Sequence, residues 1–168
     1  ETQAQFDHFF RSTPDYGIHE AGFCINAGLE PLTEWLDEAV FAEDEINYLR
    51  SQRGSTGEQL FKDDFLSWLK NDFDAKAISL YGMPEGRVIH PNVPSHVVEG
   101  PLAIGQIIET GLLNTVNYQI LIATKAARIK QSTRGELLME FGLRRAQGLG
   151  AIQGTRAALI GGADFSSN

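Results

Sequence analysis

Cysteine is nearly missing from this 168-residue chain, and its one thiol, Cys24, excludes an internal disulfide and a thiolate metal cluster. Long apolar runs are missing too: nothing approaches the roughly 18–20 residues that span a bilayer. No basic-then-apolar leader stands at Glu1, so no targeting segment is expected. Positive charge is scarce. Fourteen Lys and Arg against 22 Asp and Glu leave a net charge of −8, which speaks against a general nucleic-acid binder. A reducing, cytoplasmic setting without membrane contact fits these absences. What is present, 42% hydrophobic and 21% charged residues, suffices for a globular core in one domain or two small ones.

The charge is unevenly spread. Residues 1–75 hold 16 acidic and 5 basic side chains, whereas residues 76–168 hold 6 acidic and 9 basic. The first half reads as solvated acidic helices, and the second as the half suited to receive an anion.

Local patterns give an order of elements. The aromatic-rich Phe6–Arg11 and the stretch Gly22–Ala27 read as strands. Leu29, Leu32, Leu36 and Val40 have the spacing of one helix face, giving a helix over 29–40. Two short helices follow at Glu43–Leu49 and Lys62–Leu69, the second opening on Asp63-Asp64, which suit a helix N-terminus. Ala77–Tyr81, Arg87–His90 and His96–Glu99 are strand-like pieces divided by Pro- and Gly-containing turns. Beyond Pro101, a suitable first helical residue, Ile104, Ile108, Leu112, Val116 and Ile120 repeat every fourth position. They predict a long, mostly buried helix, interrupted near Gly111 and closing on the basic stretch Lys125–Lys130. Glu136–Phe141 reads as a buried strand, Ala151–Leu159 as a helix, and Ile160 as the start of another strand. Strand, loop, helix and strand are the grammar of a βα unit with a parallel sheet.

In such units ligands bind at loops on the carboxyl ends of the strands. Arg144 and Arg145 follow the first strand, and Gly161-Gly162 with Ser166-Ser167 would mark the same rim one strand later. Read from residue types alone, the arginines are either solvated loop charges or an anion site. Phe141 is core, Asp164 is a turn residue or a ligand contact, and Lys125 is a helix-end charge or a substrate contact. His90 and His96 flank proline turns and read as structural. No histidine lies near either loop, so no metal site is expected there.

Six stretches, in this order, resemble nicotinate phosphoribosyltransferases: FFRSTP, NAGLEPLTEWL, PEGRVIHPNVPSHVVEGPL, QIIETGLLNTVNYQILIATKAARI, EFGLRRAQG and GGADFSSN. The resemblance runs from about Phe6 to Asn168, and its last three motifs are specific in combination. It implies an α/β fold: a sandwich-type N-terminal domain over residues 1–135, then the first strands of an irregular α/β barrel over 136–168. A complete barrel needs about eight strands. The chain thus resembles an N-terminal piece of the enzyme, inactive alone, with the histidine that members phosphorylate from ATP lying beyond Asn168.

The family's reaction joins nicotinate to phosphoribosyl pyrophosphate, giving nicotinate mononucleotide for NAD biosynthesis. ATP and Mg²⁺ assist, and no cofactor is tightly bound. The resemblance places Phe141 against the pyridine ring and Arg144 on a substrate phosphate, with Arg145 as a second anion contact. Glu140 and the rim of Asp164, Ser166, Ser167 and Asn168 would face ribose and base, and Lys125 the substrate phosphates. A homodimer with shared active sites is implied. Quinolinate or nicotinamide phosphoribosyltransferases of the same fold are the near alternative. A lipoyl-type carrier is the distant one, suggested by the rhythm of residues 84–106 but lacking a lysine at the hairpin tip.

Overall fold

The computed structural model describes residues 2–18, 20–148 and 150–167. Its first layer is a three-stranded antiparallel sheet with β5 (His96–Pro101) in the middle. β1 (Gln3–His8) flanks one side, with Gln3 opposite Pro101 and His8 opposite His96. β3 (Ser79–Gly82) flanks the other. A separate antiparallel pair joins β2 (Cys24–Ile25) to β4 (Val88–Ile89). The predicted strands at 6–11 and 22–27 exist but shift or shrink, because a strand extends only as far as a neighbour pairs with it. Phe9 and Phe10 lie past the end of β5's register.

Three short helices lie between the strands. α1 (Leu29–Glu38) buries Pro31, Leu32 and Leu36. α2 (Glu43–Ser51) and α3 (Asp63–Asn71) pack together over Ile46, Leu66 and Leu69. Both carry carboxylates in their first turn, and the Glu45 carboxylate accepts the Ala42 N–H at 2.7 Å.

The long helix α4 (Leu102–Ser132) is 31 residues, about 46 Å at 1.5 Å per residue. Its predicted four-residue stripe is buried throughout, from Ile104 to Ile120, and continues through Ala123 and Ala126. The expected interruption at Gly111 is absent. The glycine is there for space: a Cβ would overlap the Trp35 ring, and one at Gly105 would overlap Phe6. Intrahelical bonding is unaffected, so the helix runs on. No helix among the described residues is long and apolar enough to cross a membrane.

Beyond α4 the chain forms β6 (Met139–Glu140), α5 (Gly150–Ile160) and β7 (Phe165–Ser166), with the two strands parallel. Two expectations are corrected here. β6 is shorter than the predicted 136–141, since Glu136 is held in a turn by Thr133 and Leu137 is largely exposed. Ile160 ends α5 instead of opening a strand, because its side chain packs on the cluster of Ile25, Ala27, Ala123 and Ala157. Helix α5 lies against α4 so closely that a Cβ at Gly161 would overlap the Ala123 carbonyl.

Inside the sheet, His8 and His96 meet with their Nδ1 atoms 3.0 Å apart, and the Ser95 hydroxyl lies 3.2 and 3.1 Å from them. Two neutral rings satisfy this contact when one donates and the other accepts. Burial, then the charge of His8, lowers the His96 pKa to about 4, against a small opposing pull from Glu85; burial lowers His8 as well.

Two outcomes follow from this packing. Gly161→Ala must push against backbone, so it is expected to cost on the order of 1–3 kcal/mol in chemical denaturation. Gly17→Asn serves as the control, since among the described residues nothing lies within 4 Å of a Cβ built there and asparagine tolerates its positive φ. The histidines set an acid limit. Their folded pKa values lie below the unfolded value of 6.5, so the unfolded state binds protons first. Stability is full above pH 6.5 and falls as pH drops toward 4, by on the order of 2–3 kcal/mol. His96→Asn should flatten that part of the stability–pH curve; an unchanged slope would remove the histidines from the explanation.

Candidate active site

The β6–α5–β7 unit sets up a rim. Met139 pairs with Phe165 and Glu140 with Ser166, and the Ser167 N–H donates to the Glu140 carbonyl at 3.0 Å. Both strands therefore end on the same side. Phe141, a short 3₁₀ turn at Leu143–Arg145, and Ser167 leave the sheet there. The turn closes on the Gly142 carbonyl, which accepts the N–H groups of Arg145 (2.8 Å) and Ala146 (3.0 Å).

Phe141 is 48% exposed, which overturns its reading as core. Its neighbour Glu140 points inward. One carboxylate oxygen accepts the Gly142 N–H, while the other is buried and has no hydrogen-bond partner among the described residues. A buried carboxylate oxygen of this kind favours a donor brought by a ligand. Arg144 and Arg145 are exposed, and among the described residues neither guanidinium has a hydrogen bond or ion pair. Unpaired arginines beside an unsatisfied carboxylate offer both signs of charge within one loop.

Three cavities meet at this loop. One of about 230 Å³ is lined by Lys125, Ile129, Glu140, Phe141 and small residues of α4 and α5. A second, about 310 Å³, lies on the other side of Glu140, between Tyr118, Arg145 and Thr155. A third, about 730 Å³, is shared by Arg145 with Trp35, Asn114, Gln147 and Gln153. Lys125 thus reaches the same cavity as Phe141 and Glu140, with its ammonium 3.9 Å from the centre of the Tyr16 ring.

The rest of the expected rim divides. Ser166 and Ser167 stand at the carboxyl end of β7, next to Glu140. Gly161, Gly162 and Asp164 precede β7 and lie at the opposite end of the strand pair. This corrects their placement on the arginine side, and the cause is the late start of the strand. The Asp164 carboxylate accepts the Leu138 N–H at 2.8 Å and the Lys130 ammonium at 2.5 Å. These hydrogen bonds, with Lys130's charge, hold its pKa below the usual aspartate range. Asn168 lies outside the described residues. Among those described, no three His, Cys, Asp or Glu side chains gather as metal ligands.

Sequence reasoning missed one pairing beside this unit. Glu85 and Arg156, 71 residues apart, join through two hydrogen bonds. No local pattern links two charges at that separation.

The comparisons agree with this architecture. Residues 1–117 match the family model described as nicotinate phosphoribosyltransferase (NAPRTase) N-terminal domain. The nicotinate phosphoribosyltransferase of Bacillus subtilis (strain 168) is 44% identical over 169 residues, covering all of this chain and 32% of the relative. The crystal structure of human nicotinic acid phosphoribosyltransferase superposes with a TM-score of 0.85 at 33% identity, covering 99% of this chain and 32% of that one. A nicotinate-nucleotide pyrophosphorylase from Pyrococcus furiosus gives a TM-score of 0.70 at 25% identity, again over 99% of this chain and 32% of that one. The chain spans about a third of the length of the curated relatives it matches. With a family-model match over residues 1–117, most of its length, this chain belongs to the nicotinate phosphoribosyltransferase family.

Proposed function

We propose that the rim described above is part of a site transferring phosphoribose from phosphoribosyl pyrophosphate to nicotinate, in a cytoplasmic, ATP-coupled step of NAD biosynthesis. The observation that carries this reading is the loop after β6. It presents an exposed aromatic ring, two unpaired arginines and an unsatisfied carboxylate oxygen at the carboxyl end of a parallel strand. An aromatic ring half exposed at a cavity mouth suits stacking on a pyridine. Planar guanidinium groups suit bidentate contact with phosphate.

The chemistry asks for little more. The pyridine nitrogen lone pair forms a bond to the anomeric carbon as the bond to the pyrophosphate oxygen breaks. Positive charge builds on the ribose and negative charge on the leaving group. Arg144, Arg145 and Lys125 neutralise the leaving group, and Phe141 holds the pyridine ring in line. The unpartnered oxygen of Glu140, at the wall shared by two of the cavities, accepts a ribose hydroxyl, with Ser166 and Ser167 beside it. Among the described residues no three His, Cys, Asp or Glu side chains form a cage for Mg²⁺. A homodimer in which the β1 region borders the partner's barrel accompanies this reading. The Glu85 tip of the β3–β4 turn, bound to Arg156, gives the carrier alternative no support.

Two measurements test the proposal in a full-length protein containing this sequence. Arg144→Ala removes a charge-assisted contact worth about 1.5–3 kcal/mol, so kcat/KM should fall roughly 10- to 150-fold. Arg144→Lys should recover only part of that, because an ammonium lacks the two-pronged geometry. A folded Arg144→Ala protein with wild-type efficiency would remove the arginine from the site.

Phe141→Ala should raise KM for nicotinate more than KM for phosphoribosyl pyrophosphate, since stacking touches the ring alone. Equal effects on both substrates would count against stacking. Circular dichroism and Tm of each variant come first, to separate folding from binding.

A further inference from the structure

The turn between β3 and β4 is unusually well tied down. The Asn26 backbone carbonyl accepts the Gly86 N–H at 2.8 Å, and its N–H donates to the Arg87 carbonyl at 2.9 Å. Its side-chain amide donates to the Met83 carbonyl at 2.5 Å. The residue so presented is Glu85. Its Oε1 accepts the N–H groups of Gly28 (2.6 Å) and Leu29 (3.0 Å), the first donors of α1. Helix α1 has no side-chain cap of its own, so Glu85 caps it from 57 residues away.

The same carboxylate grips α5. Arg156 donates to Oε1 at 2.9 Å and to Oε2 at 2.6 Å, in the two-pronged geometry that fixes direction as well as distance. Glu30, on the first turn of α1, makes a second ion pair with Arg156. Burial pushes the Glu85 pKa up, but the donors of Arg156, Gly28 and Leu29 outweigh it and hold the pKa below the ordinary range. Glu85 is thus charged at neutral pH and well supplied with partners.

The position of this clasp gives it a consequence. Arg156 sits on the helix that connects the arginine loop to β7, and β6 and β7 themselves meet over only two residue pairs. The direction of α5 therefore fixes where the loop of Arg144 and Arg145 stands relative to α1 and α4. Resting on the function proposed above, we propose that Glu85 is a positioning residue of the phosphoribosyl-transfer site, acting through Arg156 on α5. Glu85 touches no substrate in this assignment. It sets the placement of groups that do.

The test uses Glu85→Gln, Arg156→Gln and the double variant in a full-length protein containing this sequence. Kinetics are measured well below Tm, with amide hydrogen exchange read at residues 143–148. Glutamine keeps one acceptor for the α1 cap but loses the charged fork to Arg156. KM for phosphoribosyl pyrophosphate should rise on the order of 10-fold, as misplacement of about 1 Å costs up to 100-fold. KM for nicotinate should move less, and exchange at 143–148 should quicken. The double variant should be no worse than the poorer single one, because both break one connection.

Should Glu85→Gln fail to fold, Arg156→Lys carries the same test, since it leaves the α1 cap intact. Folded variants with wild-type KM values and unchanged exchange would overturn the proposal. Additive losses in the double variant would overturn it too. If the wild-type protein makes no nicotinate mononucleotide, the proposed function falls, while hydrogen exchange still decides whether the clasp holds the loop.

Discussion

Close contact along α4 is the constraint on which the rest of the structure depends. The helix takes the β1–β5–β3 sheet and α1 against its first half, and β2 and α5 against its second. Glycines let aromatic rings and backbone approach within a side chain's breadth. Phe6 and Trp35 fill the places of missing Cβ atoms at Gly105 and Gly111, and the Gly161 backbone meets the Ala123 carbonyl. Interiors at this density do not deform gradually. A shift at one contact must be absorbed by the whole helix or by rearrangement of a neighbour.

The site inherits that rigidity. The candidate rim hangs on a sheet of two short parallel strands, which alone would be a poor platform. Rigidity comes instead from α5 lying on α4 and from two charged ties that hold the unit to its surroundings. Asp164 joins Leu138 and Lys130 at the amino end, and Glu85 joins Arg156 from the side. The groups proposed to face substrate, Phe141, Arg144 and Arg145, are left exposed, while Asp164 and Glu85 behind them are bonded. A preorganised site would have this division of labour: bonding in the support, free donors at the front.

Much of this was legible in the sequence, for identifiable reasons. The stripe from Ile104 to Ile120 has one period and one meaning, so α4 and its buried face could be read directly. The βα unit and the position of Arg144 and Arg145 after a strand were legible from punctuation by glycine. Strand lengths were not, because a strand ends where its partner ends, and the partners of β1 and β2 lie far along the chain. Gly111 misled because propensity counts a lost side chain as weakness, whereas here it is room for Trp35. Ile160 misled because β-branching suggests a strand, and its packing against Ala157 and Ile25 decides otherwise. The Glu85–Arg156 pair was invisible, since only the tertiary fold brings those charges together.

The register of β1 bears on how the chain is made. His8 lies opposite His96, 88 residues later. At about 5–20 residues per second, a ribosome takes roughly 4–18 seconds to reach the strand that β1 requires. During that interval the acidic helices α1 to α3 are already out, and β1 has no β5 to lie against. The −11 balance of residues 1–75 is carried by the nascent chain over the same interval, and like charges repel other copies while β1 (Gln3–His8) still lacks its partner.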